Sequence, residues 1–285
     1  MSLIESALEK LRRDETRTQP TGSAVPSRPV VVPMAASEPI APARHTKVDL
    51  QALRVAGYLP ELGLERRFAD HYRQIKRPLI EKALNGSPEM RLILVSSALP
   101  GDGKTFTSIN LALSMARERD LSVLLVDADT PKARVSEVLG IREERGLVDT
   151  LMEEALDVES LVHSTDIHGL EILAAGKRME NTTELLASAR MAQIAARLIA
   201  RNTRRLVLFD TAPLLVSSEA RALLRIPGQI VLVARSGVTP RQALVDALVQ
   251  VDKSRLQGLV INEAPFRAGS GYYDYGGYGT EPSET

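Results

Sequence analysis

The chain reads as an α/β protein built on a mostly parallel sheet with helices on both faces. Three observations predict this. Short β-rich runs alternate with helical patterns, at 92–96, 122–126, 170–173, 206–209, 230–234 and 256–261. Three of the stronger runs are almost purely apolar, as strands buried on both faces must be. Helices between successive strands imply right-handed crossovers, which make a parallel sheet covered on both sides.

Taken in order, residues 1–15 read as a short amphipathic helix. Ser2 and Glu5 have capping-box spacing, and Ile4, Leu8 and Leu11 share one face. So short a helix is marginal alone. Residues 16–48 turn to Pro, Ala, Ser and Thr, with Pro20, Pro26, Pro29, Pro33, Pro39 and Pro42. This composition buries too little apolar surface to offset ordering entropy and is expected to be a linker. A helical stretch over 62–84 carries Arg66, Arg67, Arg73, Lys76 and Arg77, and Pro78 is expected to kink or divide it. The folded domain is expected over 49–267. Residues 268–285 form a tail of Gly, Tyr, Ser, Asp and Glu, which holds four of the chain's six tyrosines.

Composition narrows the function. With 285 residues and a hydrophobic share of 44%, the chain can bury one sizeable core. Lys plus Arg equals Asp plus Glu at 36 each, so no global basic field draws it to nucleic acid. The absence of cysteine excludes disulfides, thiolate metal sites and iron–sulfur clusters. No run approaches the roughly 20 apolar residues that span a bilayer, and the charged first residues do not read as a secretory signal. A cytoplasmic protein is expected.

The motifs fall at the carboxyl ends of the expected strands, where ligands sit in such sheets. Ala98-Leu99-Pro100-Gly101-Asp102-Gly103-Lys104-Thr105 follows an apolar strand and precedes a helical pattern. It matches the phosphate loop G-x-x-x-x-G-K-[ST] with Ala98 in place of the first Gly, which predicts a P-loop NTPase fold. Gly101 and Gly103 let backbone N–H groups converge on phosphate oxygens at a helix N-terminus. Lys104 would reach the β/γ-phosphates, and Thr105 would ligate Mg²⁺. Pro100, Gly101, Asp102, Gly103, Lys104, Thr105 and Phe106 are the expected ATP contacts. The second strand delivers Asp127 and Asp129, at i and i+2 on the same side of an extended chain. One can hold the metal while the other accepts the proton of an incoming hydroxyl. The third ends in Asp210-Thr211-Ala212-Pro213, and its acid is expected to bind Mg²⁺.

Tyr272, Tyr273, Tyr275 and Tyr278 cluster within the tail beside Asp274. A nucleotide site and a run of phenols in one chain predict an enzyme that phosphorylates itself. Each phosphotyrosine would bring about −1.5 to −2 charges, making the tail both substrate and switch.

Together the phosphate loop, the D-x-D strand and the D-x-x-P strand resemble the bacterial tyrosine kinases of the polysaccharide-biosynthesis type. More narrowly, the chain is similar to the tyrosine autokinase of exosortase-type exopolysaccharide loci. That likeness rests on the start Met1-Ser2-Leu3-Ile4-Glu5, the helix Tyr72–Leu79, Asn181–Ser188 and Pro213–Arg221. The resemblance implies an ATP–Mg²⁺-dependent kinase acting on a neighbouring protomer's tail. It also implies a membrane-embedded chain-length regulator as activator, recruitment to the inner face of the membrane, and a role in exopolysaccharide export or assembly. It places self-association on Asp70, Arg73 and Lys76, which stand where the family has E-x-x-R-x-x-R. It further suggests an adenine-reading amide at Asn262. One departure stands out: Pro131 occupies the Arg position of the family's D-x-D-x-R, with Lys132 next to it. A partitioning-type regulatory ATPase is the first alternative, although Leu99 stands where those proteins carry an additional Lys. The second is an inactive nucleotide-binding adaptor of an export machine. His163 and His168 lack metal-ligand company and are expected at the surface.

Overall fold

All six apolar runs become strands, and the sheet they build extends beyond them at one edge. The structure, a computed structural model, describes residues 44–265, which lie within the unit Ala41–Thr285. The strands are β1 (Arg44–Thr46), β2 (Leu92–Ser97), β3 (Ser122–Ala128), β4 (His163–Thr165), β5 (Leu170–Leu173), β6 (Arg205–Thr211), β7 (Gln229–Arg235) and β8 (Leu256–Asn262). The helices are α1 (Leu50–Val55), α2 (Glu65–Asn85), α3 (Lys104–Met115), α4 (Arg134–Val138), α5 (Leu147–Met152), α6 (Thr182–Ala187), α7 (Ala189–Ala200), α8 (Ser218–Leu223) and α9 (Arg241–Gln250). The sheet order is β1-β4-β5-β3-β6-β2-β7-β8, parallel throughout except for β4 against β5.

Period-two alternation sorts the central strands onto two cores. Leu94, Leu124, Val126, Val207 and Phe209 face one layer with Leu147, Met191, Ile194 and Leu198. Ile93, Val95, Val123, Leu125 and Leu208 face the other with Tyr72, Leu79, Ile109 and Met115. Such double coverage is why β2 and β6 carry no exposed residue.

Three expectations change. The expected linker runs to residue 48, but Arg44–Thr46 already form β1 beside β4, and Val48 is buried. A three-residue edge strand has too few positions to show a period. It is held by Thr46 Oγ1 against His163 Nδ1 at 2.8 Å and by an Arg44–Glu144 ion pair at 2.6 Å. His163 is accordingly buried, not at the surface, and burial holds its pKa below the ordinary value. His168 is exposed, as expected. Pro78 lies inside α2 without dividing it. Both Pro78 and Gln74, whose carbonyl loses its partner, face solvent, where water replaces the missing bond. Residues 1–43 and 266–285, with the expected N-terminal helix, most of the linker and the four tail tyrosines, lie outside the described residues.

The expected self-association triplet divides on α2. Asp70 and Arg73 form an i,i+3 ion pair, with side chains about half exposed. Lys76 points inward: its ammonium donates to the Ser114 carbonyl at 2.6 Å and pairs with Glu118 at 2.7 Å, so it clamps α2 to α3 within one protomer. It offers nothing to a neighbour. The 3.6-residue period sets position 76 with Tyr72 and Leu79 on the buried side of the helix.

Lys76→Met, which keeps the packed stem, is expected to cost about 1 kcal/mol or less. Lys76→Glu, which buries a charge beside Glu118, is expected to cost roughly 3–5 kcal/mol. Urea unfolding measures both, and an equal loss for the two would contradict the buried clamp.

Candidate active site

The site grows from three strand ends. After β2 the chain turns through residues 98–103 and enters α3 at Lys104. Gly101 and Gly103 both have left-handed backbone, with φ of 88° and 97°. A Cβ on Gly103 would collide with the Asn262 amide. Asp102 pins the loop, accepting from Leu99 N at 3.0 Å and from Thr239 Oγ1 at 2.7 Å. Since α3 has no side-chain cap, its first amides stay available to an anion at the positive end of the helix.

The two acid-bearing strands are neighbours, and Asp127 pairs in register with Asp210 across β3 and β6. Both are buried, as is Asp129. Lys104 Nζ lies 2.6 Å from Asp129 Oδ2 and 4.0 Å from Asp210 Oδ2. Asp210 accepts from Thr105 Oγ1 on one oxygen and Ser108 Oγ on the other, each at 2.8 Å. Asp127 Oδ2 accepts from Ser136 N and Ser136 Oγ, each at 2.7 Å. So Lys104, Thr105, Asp127, Asp129 and Asp210 do meet.

Charge in this pocket is unbalanced, with three buried carboxylates around one buried ammonium. Burial, then the Asp210 carboxylate, push the Asp127 pKa up to about 7 against the Ser136 hydrogen bonds. Burial also raises Asp210, opposed by Lys104, Thr105 and Ser108. Burial pulls the Lys104 ammonium down, but Asp210 and Asp129 outweigh it and lift the pKa above the ordinary value. The surplus of hard anionic oxygens, with the Thr105 hydroxyl beside them, fits Mg²⁺. Among the described residues no group of three or more His, Cys, Asp or Glu could hold a metal alone.

Asn262 sits where β8 passes the loop, its Nδ2 donating to the Asp102 carbonyl at 3.2 Å. It lines a cavity of about 760 Å³ with Gly103, Phe106 and Phe68. Phe106 meets Phe68 edge-on, with ring centroids 6.0 Å apart. Pro131 and the exposed Lys132 follow Asp129 directly.

Four contributors were not singled out from the sequence. Ser108 lies one helical turn after Lys104, a spacing that could have flagged it. Ser136, Thr239 and Phe68 come from separate elements and carry no local signal.

Residues 90–256 match the AAA domain family. The chain is 32% identical over 195 residues to tyrosine-protein kinase YwqD of Bacillus subtilis, covering 68% of this chain and 79% of that one. It is 32% identical over 191 residues to tyrosine-protein kinase wzc of Salmonella typhimurium, covering 66% of this chain but 26% of the relative. The match thus spans about a quarter of that longer protein. The kinase domain of Escherichia coli tyrosine kinase ETK superposes with a TM-score of 0.55 at 28% identity, covering 67% of this chain and 72% of that one. The fold and site define a phosphate-loop nucleotide-binding domain of the AAA type. Within that class, the chain belongs to the bacterial tyrosine-protein kinase family.

Asp127 holds its proton to about pH 7 in the folded chain, against an ordinary value of 3.8. The stability linked to it is therefore complete below about pH 4 and lost as pH rises through 7. Asp127→Asn is expected to raise the melting temperature of nucleotide- and metal-free protein at pH 8, with the gap narrowing by pH 5. A difference that does not depend on pH would contradict this.

Proposed function

We propose that the chain is a protein-tyrosine autokinase that moves the γ-phosphoryl group of ATP onto Tyr272, Tyr273, Tyr275 and Tyr278 of a second copy. One observation carries the reading: Lys104 and Thr105, at the head of α3, meet Asp127 and Asp210 paired across β3 and β6. Phosphoryl transfer needs little covalent help from protein, so positioning and charge stabilisation dominate.

The loop amides from Pro100 to Thr105, with the α3 N-terminus behind them, would take the phosphates. Lys104 is held by Asp129 at 2.6 Å and can exchange that carboxylate for a phosphate oxygen without losing a partner. Thr105 and Asp210, with Asp127 alongside, would hold Mg²⁺, which supplies positive charge to the phosphate oxygens when bound. Ser136 fixes the orientation of the Asp127 carboxylate. With Asp127 at the metal, Asp129, freed as Lys104 turns to the phosphate, would accept the proton of the tyrosine hydroxyl as that oxygen bonds to phosphorus and ADP leaves. The cavity of about 760 Å³ beside Gly103 is large enough for adenine, with Phe106 as an apolar wall and the Asn262 amide at its edge.

Family membership supports a place in exopolysaccharide biosynthesis, with a membrane-embedded chain-length regulator as activator at the inner face of the membrane. Among the described residues no helix is long and apolar enough to cross a membrane. Self-association would use Asp70 and Arg73 on the outer face of α2 and exclude Lys76. Four phosphates within seven residues would load the tail with charge, and repulsion would then loosen the assembly.

Lys104→Met is expected to lower phosphotyrosine formation by at least 100-fold. Replacing the four tail tyrosines by Phe should remove most labelling while leaving ATP binding intact. Mixing the two variants should label the Lys104→Met chain, because only that chain has acceptors and only the other has a working site. Phosphate release without protein labelling would instead favour a partitioning-type ATPase, and neither signal would favour an adaptor.

A further inference from the structure

A second concave surface lies at the end of α3 away from the phosphate loop. There α1, α2 and the last turns of α3 enclose a groove of about 830 Å³. Its floor is apolar, with Leu59, Phe68, Leu113 and Ile167. Its rim is cationic. Arg66, Arg117 and Arg119 are exposed, and among the described residues none of the three has a hydrogen bond or ion pair. The acids of the groove are already engaged: Glu65 faces Arg54 at 3.5 Å, and Glu118 holds Lys76 at 2.7 Å. The uncompensated charge is therefore positive.

We propose that this groove docks the phosphorylated 272–278 segment of a second copy of the chain. Phosphotyrosine joins a flat apolar ring to a head of about −1.5 to −2 charges. An apolar floor under three free guanidiniums matches both halves, because each guanidinium can take phosphate in a two-pronged bond. The segment places four such groups within seven residues, beside Asp274. Unmodified, it carries only the Asp274 charge across those seven residues and gives the rim little to hold, so docking follows phosphorylation.

The groove shares Phe68 and Tyr72 with the wall of the nucleotide cavity, but its arginine rim lies away from the phosphate loop. α3 has 12 residues, and at 1.5 Å per residue Arg117 lies about 18 Å or more along it from Lys104. A concave floor with room for ring side chains favours a peptide over an anionic membrane, which would be met by a flat basic face. The inference rests on the tail tyrosines being the acceptors. In that reading a second copy's tail has just occupied this protomer's cleft when repulsion from the acidic site releases it, and the groove is the nearby surface whose charge suits the product.

The test uses the full chain with its four tail tyrosines changed to Phe, so that its own tail cannot compete. A fluorescent synthetic peptide of residues 266–285, with phosphate on all four tyrosines, is titrated by anisotropy. It is expected to bind at least tenfold tighter than the unphosphorylated peptide. Arg117→Glu with Arg119→Glu should weaken binding at least tenfold, Arg66→Glu should weaken it as well, and Arg197→Glu on α7 should leave it unchanged. Saturating ATP–Mg²⁺ should not displace the peptide. Equal binding of the two peptides, displacement by ATP, or insensitivity to all three groove arginines would each overturn the proposal. So would arginine-dependent binding to phosphatidylserine vesicles with none to the peptide. A failure of the kinase reading appears elsewhere, as missing phosphotyrosine after ATP addition, since the synthetic peptide already carries its phosphates.

Discussion

Everything around the site follows from a crowd of buried charge: Asp127, Asp129 and Asp210 share one ammonium, Lys104, in a pocket nearly closed to water. In a low-dielectric interior such a surplus is costly, and the fold opposes it with every donor in reach. Ser136 gives two hydrogen bonds to Asp127, Thr105 and Ser108 give one each to Asp210, and Asp129 takes the lysine. Asp127 still holds its proton to about pH 7. A site this short of positive charge is prepared for a divalent cation, and less strained once one arrives. The same imbalance that costs stability underlies the affinity for Mg²⁺ proposed above.

The architecture makes this crowding possible. In a parallel sheet all carboxyl ends lie on one edge, so β2, β3 and β6 deliver their last residues to a single place. Register does the rest, setting Asp127 directly opposite Asp210. The helix that follows β2 points its free amides at the same spot, and the Lys76 clamp and the Phe68–Phe106 contact fix α2 against that helix. The outer face of α2 carries the Asp70–Arg73 pair, while its inner face grips α3.

Much of this was legible in the chain. The strand runs were found because strands covered on both faces must be apolar throughout, and the phosphate loop because its glycines are required by left-handed backbone at Gly101 and Gly103. What escaped notice depends on tertiary placement. β1 is too short to show a pattern, and its anchor, His163, looks like any polar residue until Thr46 is set against it. Lys76 reads as one more cation on a basic helix until α3 is packed against the face it shares with Tyr72 and Leu79. Ser136 and Thr239 act through contacts with chain distant in sequence, which no local window contains. Pro78, read as a helix breaker, is tolerated because the bond it removes faces solvent.

Nucleotide affinity measured calorimetrically with and without Mg²⁺, in the natural chain and in Asp210→Asn, tests the charge-surplus account most directly. The account predicts that Mg²⁺ tightens ATP binding at least tenfold in the natural chain and changes it little in the variant. ATP binding that is equally strong with and without Mg²⁺ in the natural chain, and unaltered by Asp210→Asn, would contradict it.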